Sequence, residues 1–257
     1  MGDYSSVTEL ANDEVSQEQV ERLAHRYHWA GAYCVGKDVL EVACGAGQGL
    51  GYLAGMAKSL RGGDITESLV ESARSHYGDR VRIELMDAME LPFSPASLDV
   101  VILFEALYYL PSAAEFLQEC RRVLRPGGVV LIALANKDLF DFNPSPFSTK
   151  YFGVPELHAL LSQSGFGSQF WGAYPVAAAS TGQKILRLAK TLAVKLNLMP
   201  KTMAGKKWLK RLVFGGLTRM PPEIDPQLFN YLPPVNIPSD SIDSCRKVIY
   251  CVAHLKD

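Results

Sequence analysis

The stretch Val39-Leu40-Glu41-Val42-Ala43-Cys44-Gly45-Ala46-Gly47-Gln48-Gly49 restricts the folds open to this chain more than any other. Its first half is an apolar, β-branched run interrupted by one acid, the composition of a parallel strand buried on both faces. Its second half is a glycine turn, and residues 50–57 beyond it have the composition of a helix. Strand, glycine turn and helix together make a loop that cradles a nucleotide. Glycine takes dihedrals that a Cβ forbids and lets the backbone come close to a ligand, and the helix N-terminus offers free N–H groups. A dinucleotide fingerprint, G-x-G-x-x-G, would place a third glycine at position 50, where Leu50 stands.

The glycines fall instead at Gly45, Gly47 and Gly49, with Glu41 four residues before the first. This E-x-x-x-G-x-G-x-G pattern resembles motif I of the class I S-adenosylmethionine (SAM)-dependent methyltransferases. The resemblance places Glu41, Ala43, Gly45 and Gly47 against the cofactor. Such a loop holds a methionine carrying an ammonium, a carboxylate and a sulfonium, so an acid at the strand end is chemically apt. Just upstream, Arg26-Tyr27-His28-Trp29-Ala30 reads as packing or, by the same resemblance, as an R-Y-x-x-A segment lying across the methionine end of SAM. Tyr27 is then a cofactor contact.

Further motifs follow in the family's order. Residues 57–65 fit a second strand ending in Asp64, 17 residues beyond Gly47, near the separation of about 20 at which an acid bonds ribose hydroxyls in doubly wound folds. Ile65 follows it into the site. Residues 81–85 alternate apolar and polar as an edge strand does, and deliver Met86-Asp87-Ala88-Met89-Glu90-Leu91-Pro92-Phe93. That string resembles the family's D-A-x-x-L-P-F segment, in which the acid accepts from the adenine amine and the next N–H, here that of Ala88, bonds the ring. An isolated Asp87 would read as a turn cap, but three acids at three successive strand ends favour the cofactor. A continuous apolar strand over 98–104 ends at Phe104, a further cofactor position. A helix over 113–124 leads through Arg125-Pro126-Gly127-Gly128, a turn signal, into a fifth strand. The resemblance covers residues 26 to about 135. It implies an α/β fold with a seven-stranded, mostly parallel, doubly wound sheet, order 3-2-1-4-5-7-6 with strand 7 antiparallel.

The rest of the chain departs from that plan. Residues 1–15 are polar and acidic and read as frayed, ahead of a helix capped by Ser16. A sixth unit spans 155–174, and the last strand is read at 247–253. About seventy residues separate these two, where the family has a short hairpin. We therefore divide the chain into a cofactor-binding core with an N-terminal helix (1–175), a helical basic insertion capping the substrate site (176–245) and a final core strand (246–257). No Asp or Glu occurs between Glu156 and Glu223, yet ten Lys and Arg lie from Lys184 to Arg219. Such helices pack on the core with a solvated face, meet a phosphate-bearing substrate, or lie on an acidic membrane surface.

Methyl transfer from a sulfonium needs alignment and exclusion of water more than acid–base work. The groups nearest the methyl should come from the fourth strand end, the loop over 135–153 and the upstream aromatic segment. Glu105, Tyr109 and His28 are the catalytic candidates, and Tyr108, Asn136 and Asn143 the substrate contacts. Many small-molecule relatives carry a histidine where Tyr109 stands, and a phenol with a pKa near 10 is a poor base. Asn143-Pro144-Ser145-Pro146 superficially matches an amine-gripping N-P-P-[YF] string, but follows strand five and ends in Pro146. Nucleic acid is not the expected partner.

Composition agrees. A length of 257 residues with 48% apolar and 21% charged residues suits one enlarged domain, and a net charge of −1 carries no global bias towards nucleic acid or membrane. Five cysteines without a C-x-x-C pair indicate neither a disulfide framework nor a zinc site, and no metal is assigned. The absence of a signal segment points to the cytoplasm. The reading is a SAM-dependent methyltransferase acting on O, N or C of a small molecule, natural-product or sugar-like. The alternatives are a lipid acceptor reached through peripheral membrane contact, and a SAM-binding protein without transferase activity.

Overall fold

The computed structural model describes residues 3–145, 147–176 and 216–256. In chain order the elements are β1 (Glu14–Ser16), α1 (Gln17–Cys34), β2 (Asp38–Val42), α2 (Leu50–Ala54), β3 (Ser59–Asp64), α3 (Glu67–Tyr77), β4 (Arg82–Leu85), β5 (Leu98–Phe104), α4 (Ala113–Val123), β6 (Leu124–Ala135), α5 (Val154–Gln163), β7 (Phe166–Pro175), β8 (Leu217–Arg219), β9 (Val235–Ile237) and β10 (Arg246–Leu255). The main sheet runs β4-β3-β2-β5-β6-β10-β7-β9. It is parallel from β4 to β6, and β10 lies antiparallel between β6 and β7. Apart from the edge strand β9, this is the 3-2-1-4-5-7-6 order that the motifs implied. The alternating strand read at 81–85 is the opposite edge, β4.

Alternation along the central strands divides the core into two layers. Leu40, Val101, Leu103, Val130, Ile132, Ile249 and Cys251 face Phe116 and Leu117 of α4 and Leu157 and Leu161 of α5. Their neighbours Val39, Val100, Ile102, Leu131, Ala133, Tyr250 and Val252 face Ala24, Trp29 and Ala30 of α1. A period of two fits strands covered on both faces by helices. Helix α1 is started by a reciprocal capping box: Ser16 Oγ accepts from the Gln19 N–H, and Gln19 Oε1 accepts from the Ser16 N–H at 3.0 Å.

Two local readings change. The Arg125-Pro126-Gly127-Gly128 turn is a bulge within β6: pairing with β5 jumps from Leu98–Leu124 to Val100–Val129, and Gly127 takes a left-handed φ of 75°. Arg125 there bridges Asp38 and Asp99, each at 2.9 Å, tying the starts of β2 and β5 together. The N-terminal residues, read as frayed, are instead a strap laid over the carboxyl edge of the sheet. The Tyr4 N–H donates to Thr66 Oγ1 at 3.2 Å, and Gln48 Nε2 donates to the Glu9 carbonyl at 2.6 Å. The base of the strap is clamped where β1 pairs antiparallel with β8, over Val15, Val20 and Met220. Polar composition misleads here because the anchoring bonds come from residues 39 and 62 positions away and, at β8, from residues beyond 216, which no local pattern can register.

Of the insertion expected over 176–245, residues 177–215 lie outside the described residues, and with them the basic segments around Lys184–Lys195 and Lys206–Arg211. The described remainder is extended: β8, a 3-10 turn over Pro226–Leu228, and β9 on the sheet edge. It is fixed to α3 by Glu223, which meets His76 at 2.9 Å and Arg80 at 2.8 Å.

Asn136 at the end of β6 is almost fully buried. Its Nδ2 donates to the carbonyls of Asp243 and Arg246 at 2.7 and 2.8 Å, and its Oδ1 accepts from the Asp138 N–H at 3.0 Å. Replacing it by alanine strands two buried carbonyls, so Asn136→Ala should cost about 1–3 kcal/mol in urea denaturation. An unchanged midpoint would mean that this tie does not hold the β6–β10 junction.

Candidate active site

A cavity of about 480 Å³ lies over the carboxyl ends of β2, β3, β4 and β5, beneath the strap and α1. The crevice outside the strand ends is where ligands bind in open α/β sheets. From β2 and its loop it is lined by Glu41, Ala43 and Gly45, from β3 by Asp64 and Ile65, and from the β4 end by Asp87 and Ala88. Strand β5 contributes Phe104, Glu105, Tyr108 and Tyr109, and α1 contributes Arg22, Arg26 and Tyr27. Residues from five parts of the sequence thus share one wall.

The glycine loop divides its work. Gly45 has φ 58° and lines the cavity; a Cβ there would sit 3.0 Å from Thr8 of the strap. Gly47 has φ 80° but does not line the cavity; its carbonyl accepts from Tyr77 OH at 2.7 Å, which sets the turn onto α3. Gly49 is needed for space, since a Cβ there would lie 2.1 Å from the Tyr27 ring. Ala43 and Glu105 also take left-handed φ values, 56° and 52°, at the ends of adjacent strands β2 and β5. Non-glycine residues held in this region cluster at functional sites.

The acids at the three strand ends are held differently. Asp64 accepts from the N–H groups of Gly45 and Thr66, each at 2.9 Å, so its orientation is fixed by backbone while further lone pairs stay free. Asp87 accepts from the Met89 N–H at 2.9 Å. Glu41 is fully buried; Oε1 accepts from Tyr27 OH at 2.5 Å, and Oε2 has no partner among the described residues. Burial pushes the Glu41 carboxyl up to about 7, against the pull of Tyr27 and Arg26. Across the cavity Glu105 Oε2 accepts from Tyr108 OH at 2.8 Å, Oε1 lacks a hydrogen bond among the described residues, and Arg26 lies 4.0 Å away. Burial raises the Tyr109 phenol above its ordinary range, which weakens it further as a base.

Besides Gly47, three residues named from the sequence lie outside the cavity. His28 is outside the cavity, with its ring stacked on Tyr231 at a centroid distance of 4.0 Å. Asn136 is committed to the β6–β10 junction, and Asn143 is exposed on its loop. Sequence reasoning named Arg26 only within the R-Y-x-x-A segment and missed Arg22, Gln48 and the strap residues Tyr4, Thr8 and Glu9; all of these line the cavity. For the arginines a signal existed: Arg22, Arg26 and Tyr27 fall on one side of a helix whose Tyr27 was already assigned. Among the described residues no group of three or more His, Cys, Asp or Glu is placed to hold a metal, and no helix is long and apolar enough to cross a membrane.

Comparison with known proteins agrees with this geometry. Residues 40–132 match the family described as a methyltransferase domain. A probable SAM-dependent methyltransferase of Mycolicibacterium smegmatis is 41% identical over 150 residues, covering 57% of this chain and 55% of that protein. The 27-O-demethylrifamycin SV methyltransferase of Amycolatopsis mediterranei is 34% identical over 118 residues, covering 44% of this chain and 43% of its own length. The chain thus spans about half the length of the curated relatives it matches. In fold it resembles a SAM-dependent methyltransferase from Thermotoga maritima, with a TM-score of 0.59, 15% identity, and 93% and 92% of the two chains covered. Over residues 40–132 the chain is thus similar to a methyltransferase domain, and its relatives include proteins whose printed names make them SAM-dependent methyltransferases.

The Glu41 environment makes a sign-definite prediction. Its folded value of about 7 lies above the ordinary 4.5, so its contribution to stability is full below pH 4.5 and is lost as pH rises through 7. His25, whose pKa burial lowers, acts in the opposite direction. The readout is therefore a difference: Glu41→Gln should gain stability relative to the wild type between about pH 5 and 8 in thermal unfolding. A constant difference across that range would contradict the buried, partner-poor carboxyl.

Proposed function

We propose that the protein transfers a methyl group from SAM to an oxygen of a small-molecule acceptor. The observation that carries this reading is that one cavity joins the three strand-end acids to the Glu105–Tyr108 pair. Its volume of about 480 Å³ is within the ordinary range for small-molecule sites. The residues present suit the cofactor. Gly45 leaves room for backbone approach, Asp64 has lone pairs for the ribose hydroxyls, and Asp87 with the Ala88 N–H presents an edge for adenine. Glu41 Oε2, buried without a partner among the described residues, suits an ammonium, and Arg26 suits a carboxylate at the same end. One relative, by its printed name, acts on 27-O-demethylrifamycin SV, which favours an oxygen acceptor.

When bound, SAM supplies a methyl on a positively charged sulfur that leaves as a neutral thioether. The protein's share is alignment, dehydration and one proton. The strap residues Tyr4, Val7, Thr8 and Glu9 close the cavity on its outer side, which excludes water and strengthens electrostatics inside. The left-handed backbone of Glu105 holds its carboxylate in the cavity wall, and the Tyr108 hydroxyl fixes Oε2. In this reading Oε1 takes the proton from the acceptor hydroxyl. Tyr109, raised by burial, stays a phenol and serves as a hydrogen-bonding wall.

SAM, but not NAD, should raise the melting temperature. With labelled SAM and a metabolite extract, mass spectrometry should show label in a soluble product. Glu105→Gln should lower turnover by about 10²–10⁴-fold while SAM affinity stays within about twofold. Stabilisation by NAD instead of SAM, or full turnover by the variant, would refute the respective assignments.

A further inference from the structure

Helix α1 carries three charged side chains at four-residue intervals, Glu18, Arg22 and Arg26. That interval puts them on one stripe of the helix. The outer two have partners. Glu18 accepts from Lys247 Nζ of β10 at 2.6 and 2.8 Å, and Arg26 faces Glu105 at 4.0 Å. Arg22, between them, has neither a hydrogen bond nor an ion pair among the described residues, although it lines the cavity and its Nε is closed to solvent. A donor shut away from water without an acceptor is costly in the folded state. The cost is relieved if an acceptor arrives with a ligand.

Position decides which ligand. The acids assigned to the cofactor stand at the ends of β2, β3 and β4. Arg22 lies towards the other half of the sheet, where its charge acts on Tyr174 of β7 and Tyr250 of β10, and where Glu18, one turn earlier, is anchored to β10. Ion pairing decides the rest: Arg26 faces Glu105, and Glu9 of the strap, which also lines the cavity, is bonded by Gln19, so that Arg22 has no ion-pair partner among the described residues. The guanidinium edge formed by Nε and one Nη is the geometry that matches a carboxylate or phosphate with two parallel hydrogen bonds.

We propose that Arg22 binds an oxyanion, a carboxylate or a phosphate, carried by the methyl acceptor, so that the substrate class is an anionic small molecule. The proposal rests on the methyltransferase reading of the same cavity, and its test separates the two. The protein is first saturated with S-adenosylhomocysteine, the demethylated cofactor, and its affinity is measured by calorimetry for the wild type, Arg22→Gln and Arg22→Lys. Benzoate, phenyl phosphate and uncharged benzyl alcohol are then titrated into each complex.

At least one of the two anions should bind the wild-type complex about tenfold or more tightly than benzyl alcohol, and which one binds tells carboxylate from phosphate. Arg22→Gln should lose about tenfold or more of that affinity, with Arg22→Lys recovering part of it and S-adenosylhomocysteine affinity unchanged in both. Equal anion affinity in wild type and Arg22→Gln, or no anion binding to the wild type, would overturn the proposal. A matching loss of S-adenosylhomocysteine affinity in Arg22→Gln would also overturn it, by giving Arg22 to the cofactor's own carboxylate. Failure of the wild type to bind S-adenosylhomocysteine would strike instead at the reading of the cavity as a methyl-transfer site.

Discussion

The contact on which the rest of the site depends is the packing of Tyr27 across the glycine loop. Its ring lies where a side chain on Gly49 would be, and its hydroxyl donates to Glu41 at 2.5 Å. This one residue fixes α1 over the carboxyl edge of the sheet, buries the Glu41 carboxyl and closes the back of the cavity. It also explains why the third glycine stands at 49 rather than 50. A dinucleotide fold needs a glycine at 50 for helix–strand packing, whereas here the close approach is made by an aromatic ring from a preceding helix.

With α1 fixed in this way, its polar side has to face the cavity. Arg22 and Arg26 are consequences of that docking, as is the pairing of Glu18 with Lys247 at the far end of the same stripe. The strap is a second consequence, because it enters α1 directly through the Ser16 cap. Its course is set by where α1 begins and by its pairing with β8, and Tyr4, Val7, Thr8 and Glu9 farther along it line the cavity. The glycine-loop side and the outer wall of the cavity are therefore coupled through a single helix.

Strain is concentrated where the two halves of the site meet. Ala43 and Glu105 end neighbouring parallel strands with left-handed backbone, and each turns its residue into the cavity. Glycine would adopt these dihedrals freely. Keeping a side chain at position 105 puts a carboxylate between the Tyr108 hydroxyl and the Arg26 guanidinium. The backbone there is held by the β5–β6 pairing, which continues beyond Phe104 as the Glu105 N–H donates to the Ala133 carbonyl at 2.8 Å.

The sequence by itself determined the strand-end acids, and the strand order of the core followed from the resemblance its motifs carry to a known family. Those motifs are contiguous strings, a run of apolar residues closed by an acid or a glycine. It also brought Tyr27, Glu105, Tyr108 and Tyr109 to notice, because each adjoins one of those strings. Only the tertiary structure decided that His28 turns to Tyr231, that Asn136 ties β6 to the chain before β10, and that the polar N-terminus is a strap. Likewise only the fold showed the edge strand β9, and that Arg22 has no partner among the described residues while its neighbours on the stripe do. The physical reason is common to all of these. Which side of a helix faces a cavity, and whether a polar group meets its partner, depends on groups far away in the chain, and a local pattern carries no record of them.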